Sequence, residues 1–182
     1  SMKEHISAAR EAGADIVKIQ TYTADMMTLD SETDDFLISH GKWKGSRLYD
    51  LYKDAETPLE WHEEIFLHAA KENIELFSTP FTEEAVDFLE KFDPPAYKVA
   101  SFELTDLELV RHMSTKKRHL LMSTGMASAN EVNNAINIAR EHLDDDQVLL
   151  FHCISDYPAK LSDSNLRMIQ ILANQFQVSV GL

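Results

Sequence analysis

Apolar runs along this chain keep ending in small polar residues or lysines. Ala14-Asp15-Ile16-Val17 continues into Lys18-Ile19-Gln20-Thr21, and Ile74-Glu75-Leu76-Phe77 into Ser78-Thr79-Pro80. Ala96-Tyr97 leads into Lys98-Val99-Ala100-Ser101-Phe102-Glu103, and His119-Leu120-Leu121-Met122 into Ser123-Thr124-Gly125. Val148-Leu149-Leu150-Phe151 ends in His152-Cys153-Ile154-Ser155-Asp156-Tyr157. Stretches of helical character separate each run from the next. Strands alternating with helices predict a parallel α/β sheet or barrel, in which ligands sit beyond the carboxyl ends of the strands. Polar groups gathered at those ends would share one site.

The first strand is expected at residues 15–20, after a helix over 3–12 that Gly13 ends, and the last at 178–182. Thr57-Pro58-Leu59-Glu60, Thr105-Asp106-Leu107-Glu108 and Ser128-Ala129-Asn130-Glu131 read as helix starts with a capping hydroxyl and an acid three residues on. Thr82 is expected to cap a helix to about residue 91, and Ser162 one to about residue 175. Residues 22–57 read as one long irregular insertion with a short helix near 48–53, a length that points to function. The pattern yields six strands. Periodicity alone leaves two architectures open, a doubly wound sheet and a (β/α)₈ barrel lacking pieces at both ends.

Lys18 and Lys98 lie within apolar strands, where an unpaired ammonium is costly. A single such lysine can be a strand-end residue reaching solvent; two of them near strand ends point to an anion site for phosphate or carboxylate. Ser78, Thr79, Ser101, Ser123 and Thr124 could cradle a phosphate, or could serve only turns and caps. Gly125 permits close backbone approach. Glu103, five residues after Lys98, reads as a general acid/base, as a group holding sugar hydroxyls, or as the salt-bridge partner of a lysine. Gln20 could hold a carboxylate or a hydroxyl. His152 and Cys153 are adjacent in a strand and so point to opposite faces, which argues against their sharing a metal. His62 and His68 read as solvent-facing helix residues.

Composition narrows the partners. The chain has 182 residues, 44% of them hydrophobic, and a formal net charge of −14. That size and apolar content support one domain with a sizeable core. The acidity argues against nucleic acid and against an anionic membrane surface as partners. No apolar stretch approaches the roughly 18 residues that span a bilayer. The single cysteine, Cys153, suits a reducing compartment, so the cytoplasm is the expected location.

Taken together, Lys18-Ile19-Gln20-Thr21, Phe77-Ser78-Thr79-Pro80-Phe81, Tyr97-Lys98-Val99-Ala100-Ser101-Phe102-Glu103, Ser123-Thr124-Gly125-Met126 and His152-Cys153-Ile154-Ser155-Asp156-Tyr157-Pro158 resemble the sialic acid synthase family in order and spacing. Trp43-Lys44-Gly45, Leu48-Tyr49-Asp50-Leu51-Tyr52-Lys53 and Thr57-Pro58-Leu59-Glu60-Trp61-His62 look most like its pseudaminic acid synthase branch. The resemblance implies a (β/α)₈ barrel, commonly followed by a small antifreeze-like domain. It implies condensation of phosphoenolpyruvate with an open-chain acetamido sugar, 2,4-diacetamido-2,4,6-trideoxy-altrose for that branch, with release of phosphate. A divalent metal, manganese or magnesium, would activate the sugar aldehyde. By matching positions, Lys18, Gln20, Thr79, Lys98, Ser101 and Ser123 would bind phosphoenolpyruvate. Glu103 would orient substrate or transfer protons beside Lys98, and Ser155 and Tyr157 would face the sugar. Ser155 stands where the sialic acid branch has asparagine.

The same resemblance implies that the first barrel strand, the eighth strand, both metal-binding histidines and any antifreeze-like domain lie outside this chain. Residues 1–182 are therefore expected to form an incomplete catalytic barrel domain that supplies no metal ligand, is inactive alone and self-associates through exposed sheet edges. Other readings remain open at this point: an N-acetylneuraminate or legionaminate synthase, a Schiff-base aldolase using Lys98 as nucleophile, and a barrel-derived binding module without catalysis.

Overall fold

The chain is described by a computed structural model covering residues 1–156 and 158–182. Its strands are β1 (Ile16–Thr21), β2 (Glu75–Pro80), β3 (Ala96–Val99), β4 (His119–Ser123), β5 (Val148–Phe151) and β6 (Ser179–Gly181). They form one six-stranded sheet, all parallel, in which each strand pairs with the next in sequence. A doubly wound sheet reverses its strand order at a switch point. A strictly sequential order is that of a barrel wall, and this decides between the two architectures.

Helices α1 (Met2–Glu11), α2 (Ala24–Met27), α3 (Leu48–Ala55), α4 (His62–Lys71), α5 (Glu83–Leu89), α6 (Leu107–Thr115), α7 (Ala129–Ala139) and α8 (Arg167–Phe176) complete the fold. Side chains alternate across a strand, so each strand presents one set of residues to the helices. Tyr97 and Val99, Leu120 and Met122, and Val148 and Leu150 are buried on that side among Leu109, Met113, Val132 and Ile136. Ile19 and Leu76 continue the layer against Ile6, Ile65 and Ala69. The other set includes Lys18, Gln20, Phe77, Thr79, Lys98, Leu121, Ser123 and Leu149, and it faces the barrel interior. Register aligns Lys18 with Phe77, Gln20 with Thr79, Lys98 with Leu121, and Ser123 with Phe151.

The helix starts follow the sequence signals in part. Ser128 forms the expected capping box, its amide donating to Glu131 at 2.7 Å. Thr82 Oγ1 accepts from the Ala85 amide at 3.2 Å. At the third start the cap is Asp106, not Thr105: its carboxylate accepts from the Leu109 amide at 3.1 Å, and a carboxylate at that position also suits the positive end of the helix. Thr57 caps nothing. It is buried, and a 3₁₀ turn, Leu59–Trp61, precedes α4. Ser162 is not a cap either; its hydroxyl donates to Asp163 at 2.9 Å, and α8 starts only at Arg167.

The insertion over residues 22–57 contains the expected helix as α3. Arg47 holds it together, donating to Asp50 at 2.7 and 2.9 Å and to Asp30 at 2.9 Å. The Glu56 carboxylate accepts from the Ala24 amide at 3.0 Å, tying the end of the insertion to its start. Among the described residues no helix is long and apolar enough to cross a membrane.

Candidate functional site

The carboxyl ends of β1 to β5 carry the polar residues that the sequence singled out, and the strand alternation sorts them. On β1 and β2, Lys18 Nζ donates to Thr79 Oγ1 at 3.4 Å, with Gln20 beside Thr79 in register. On β3 and β4, Lys98 Nζ donates to the Val99 carbonyl at 2.6 Å and to Ser123 Oγ. Cys153 Sγ donates to the same Ser123 oxygen at 3.3 Å. Gly125 closes the group. A Cβ placed there would lie 2.4 Å from Ser155 Oγ, 2.9 Å from Ser101 Oγ and 3.2 Å from Cys153 Cβ. Ser101, Cys153 and Ser155 therefore surround one bare stretch of backbone, and Ser123 joins Cys153 to Lys98 beside it. Tyr157, read as a second sugar contact, lies outside the described residues.

Two of the five expected cradle hydroxyls do not join. Ser78 has the opposite parity to Thr79 and is fully buried on the helix side, where it meets Thr21 Oγ1 at 2.6 Å. Thr124 spends both its amide and its hydroxyl on the Phe151 carbonyl, each at 3.0 Å. His152 turns away as expected from Cys153, its Nε2 meeting the Ser164 carbonyl at 2.8 Å. The histidines on α4 depart from the sequence reading. His62 is fully buried, and His68 is half-buried with Nε2 3.0 Å from Ser7 Oγ.

Burial sets the electrostatics. It pulls the Lys98 ammonium down to about 8, with Cys153 and Glu103 opposing and Lys18 adding to the fall. Burial also lowers Lys18. The half-buried Lys98 thus feels the charge of Lys18, which stays more exposed on the same face, in a chain of net charge −14. An anion bound between them would relieve both effects.

Glu103 begins the 3₁₀ turn Glu103–Thr105 just after β3. Among the described residues its Oε2 is buried without a hydrogen-bond partner and forms no ion pair with a lysine. Burial pushes its carboxyl up, against smaller opposite pulls from its own amide and from Lys98. A carboxyl raised on folding contributes stability below its unfolded value that is lost as pH rises through the folded one. Glu103→Gln is therefore expected to match the wild type near pH ~4 and to be more stable near pH ~7. Urea midpoints at the two pH values check this; an equal offset at both would contradict it.

Among the described residues no group of three or more His, Cys, Asp or Glu side chains is arranged to hold a metal ion. The donors at this site are ammonium, hydroxyl and one thiol, a set suited to an anion and not to a hard divalent cation. These residues do not by themselves fit the metal that the resemblance implies.

The geometry has known counterparts. The model of the NeuB family matches residues 5–182. The chain is 47% identical over 177 residues to a pseudaminic acid synthase of Campylobacter jejuni, covering 97% of this chain and 51% of the relative. It is 35% identical to an N,N'-diacetyllegionaminic acid synthase of Legionella pneumophila, covering 98% and 51%. Among solved structures, the N-acetylneuraminic acid synthetase of Leptospira borgpetersenii, in complex with citrate, superposes with a TM-score of 0.84 at 25% identity, covering 99% of this chain and 57% of that one. The chain spans about half the length of the curated relatives it matches. With the family model matching from residue 5 to the last residue, and with the strand-end cluster in place, the chain belongs to the NeuB family.

Proposed function

We propose that this chain carries the phosphoenolpyruvate-binding part of a nonulosonic acid synthase, within a barrel catalytic domain that extends beyond these residues. The observation that carries the reading is the pair of lysines on one sheet face, Lys98 half-buried and Lys18 exposed, each donating to a strand-end hydroxyl. Phosphoenolpyruvate bears a phosphate and a carboxylate. Two ammonium groups with Gln20, Thr79, Ser101 and Ser123 supply donors for both.

In the proposed reaction, C3 of the enol phosphate attacks the aldehyde carbon of an acetamido sugar and forms a carbon–carbon bond. Water adds at C2, phosphate leaves, and the α-keto acid remains. Lys18 and Lys98 orient the anion and hold its charge. Glu103, whose Oε2 has no hydrogen-bond partner among the described residues and whose carboxyl is raised by burial, would take or give a proton. Ser155, across Gly125 from Ser101, would meet the sugar, and so would Tyr157. Greater identity to a pseudaminic acid synthase than to the legionaminic one supports 2,4-diacetamido-2,4,6-trideoxy-altrose as acceptor.

Calorimetric titration tests the anion-binding part directly. Phosphoenolpyruvate should bind saturably and more tightly than pyruvate or inorganic phosphate, since only it presents both anionic groups. A folded sample that takes up none of the three would overturn the reading. The lowered Lys98 favours one other reading, a Schiff-base aldolase. Borohydride in the presence of pyruvate would then attach pyruvate covalently to Lys98, whereas the synthase forms no imine.

A further inference from the structure

Behind the strand ends of β1 and β2, on the face away from the lysines, lies a second polar chain. His62, Thr21 and Ser78 are all fully or almost fully buried. Thr21 Oγ1 is 2.8 Å from His62 Nε2 and 2.6 Å from Ser78 Oγ. His62 Nδ1 is 3.2 Å from the Pro58 carbonyl, and Ser78 Oγ is 3.3 Å from the Ile19 carbonyl. The His62 ring stands edge-on to Phe88, at 5.2 Å between centroids, and lies near-parallel to Phe92 at 6.4 Å.

The acceptors fix the direction of this chain. A carbonyl can only accept, so Nδ1 carries the hydrogen and donates to Pro58. Nε2 is then bare and accepts from Thr21. Thr21 has spent its only hydrogen, so Ser78 must donate to it, and the longer 3.3 Å approach of Ser78 Oγ to the Ile19 carbonyl is the weaker arm of the same shared hydrogen. Burial among aromatic rings lowers the pKa of His62 and keeps the ring neutral, which this arrangement requires. Every polar atom in the row then has a partner, and leaving any one of them unpaired in so dry a place would be costly.

Thr21 directly follows Gln20, and Ser78 directly precedes Thr79. Gln20 and Thr79 are register partners. The Thr21–Ser78 hydroxyl bond thus crosses between strands diagonally behind the Gln20–Thr79 pair. His62 anchors it to the first turn of α4 and to Pro58, just past the insertion. We propose that His62 is a positioning residue, clamping β1 to β2 through Thr21 and Ser78 so that Lys18, Gln20 and Thr79 are held at fixed spacing on the opposite face. The functional consequence rests on the anion-site reading above; the clamp itself does not.

The test uses the whole chain and the variant Thr21→Val, which keeps the branched shape of the side chain and removes the hydroxyl. The Gln20 and Thr79 amides are expected to exchange with solvent about tenfold faster, while amides of β4 and β5 keep their protection. A merely structural loss would lower protection throughout the sheet, and either that or unchanged exchange at Gln20 and Thr79 would overturn the proposal. His62→Ala should give the same local pattern, and the double variant should be no worse than either single one. Nitrogen-15 spectra of the wild type should show Nδ1 protonated and Nε2 bare; the opposite tautomer would overturn the stated direction of the chain. Phosphoenolpyruvate affinity of Thr21→Val should fall about tenfold. If the wild type binds no phosphoenolpyruvate, the site reading fails while the exchange pattern still decides the clamp.

Discussion

Lys98→Ala is expected to abolish measurable phosphoenolpyruvate binding while leaving the chain folded. Lys98 is the most strongly perturbed cation at the site, held by the Val99 carbonyl and Ser123 with its pKa pulled down to about 8. Removing one partner of a desolvated charge pair costs about 2–5 kcal/mol, roughly 30-fold to several thousandfold in affinity. The fold should tolerate the change, because the apolar core lies on the other side of β3 and the buried ammonium itself carries a desolvation cost. Lys98→Arg separates the two enzymatic readings. It keeps the charge and part of the anion affinity, yet offers no amine for an imine with pyruvate. Calorimetry on both variants, with thermal unfolding as the control for folding, gives the result. Unchanged affinity in a folded Lys98→Ala would remove Lys98 from the site and leave the anion reading resting on Lys18 alone.

Most of the framework was readable because strand ends speak in a few residue types. Lysine inside an apolar run is costly enough to mark a face, and Lys18 and Lys98 do share the inner face of the sheet. Finer placement failed where parity was not applied. Ser78 and Thr79 are neighbours in sequence, but adjacent strand residues point to opposite sides; Thr79 meets Lys18 while Ser78 sits behind it. The alternation Leu76, Ser78 against Phe77, Thr79 held that information. His62 was not legible. At the start of α4 it sits among Glu60, Glu63 and Glu64, which suggests a solvated turn, and its hydroxyl partner Thr21 is 41 residues away. Only the packing of α4 over β1 and β2 brings the two together. The Thr57 start was misread for a related reason: its pattern fits a cap, yet burial of Thr57 and the 3₁₀ turn at Leu59–Trp61 move the helix onset to His62. Cys153 was set aside as a metal ligand, and the thiol proved to be part of the hydroxyl cluster at Ser123.

Gly125→Ala is expected to be the most damaging single-methyl change at the site, and it sets two general effects against each other. Gly125 does not need a left-handed backbone; its φ is not among the positive ones. By conformational entropy alone, alanine there should stabilise the chain by about 0.4–1 kcal/mol. The space argues otherwise. The new Cβ would fall 2.4 Å from Ser155 Oγ and 2.9 Å from Ser101 Oγ, inside contact distance of both. The two hydroxyls can rotate away, but they are the donors that the proposed site uses. Cys153 Cβ, at 3.2 Å, has no such freedom, because it is fixed by the backbone leaving β5. Either the serines abandon their positions or the turn after β4 shifts and carries Ser123 with it. Overpacking of this kind costs about 1–3 kcal/mol, so ligand affinity should fall about tenfold or more with only a modest change in melting temperature. The same substitution at Gly13 has open space around it but a φ of +87°, so it should cost stability and leave ligand affinity untouched. A Gly125→Ala chain that binds phosphoenolpyruvate normally and melts higher than the wild type would show that Ser101 and Ser155 do not frame the ligand.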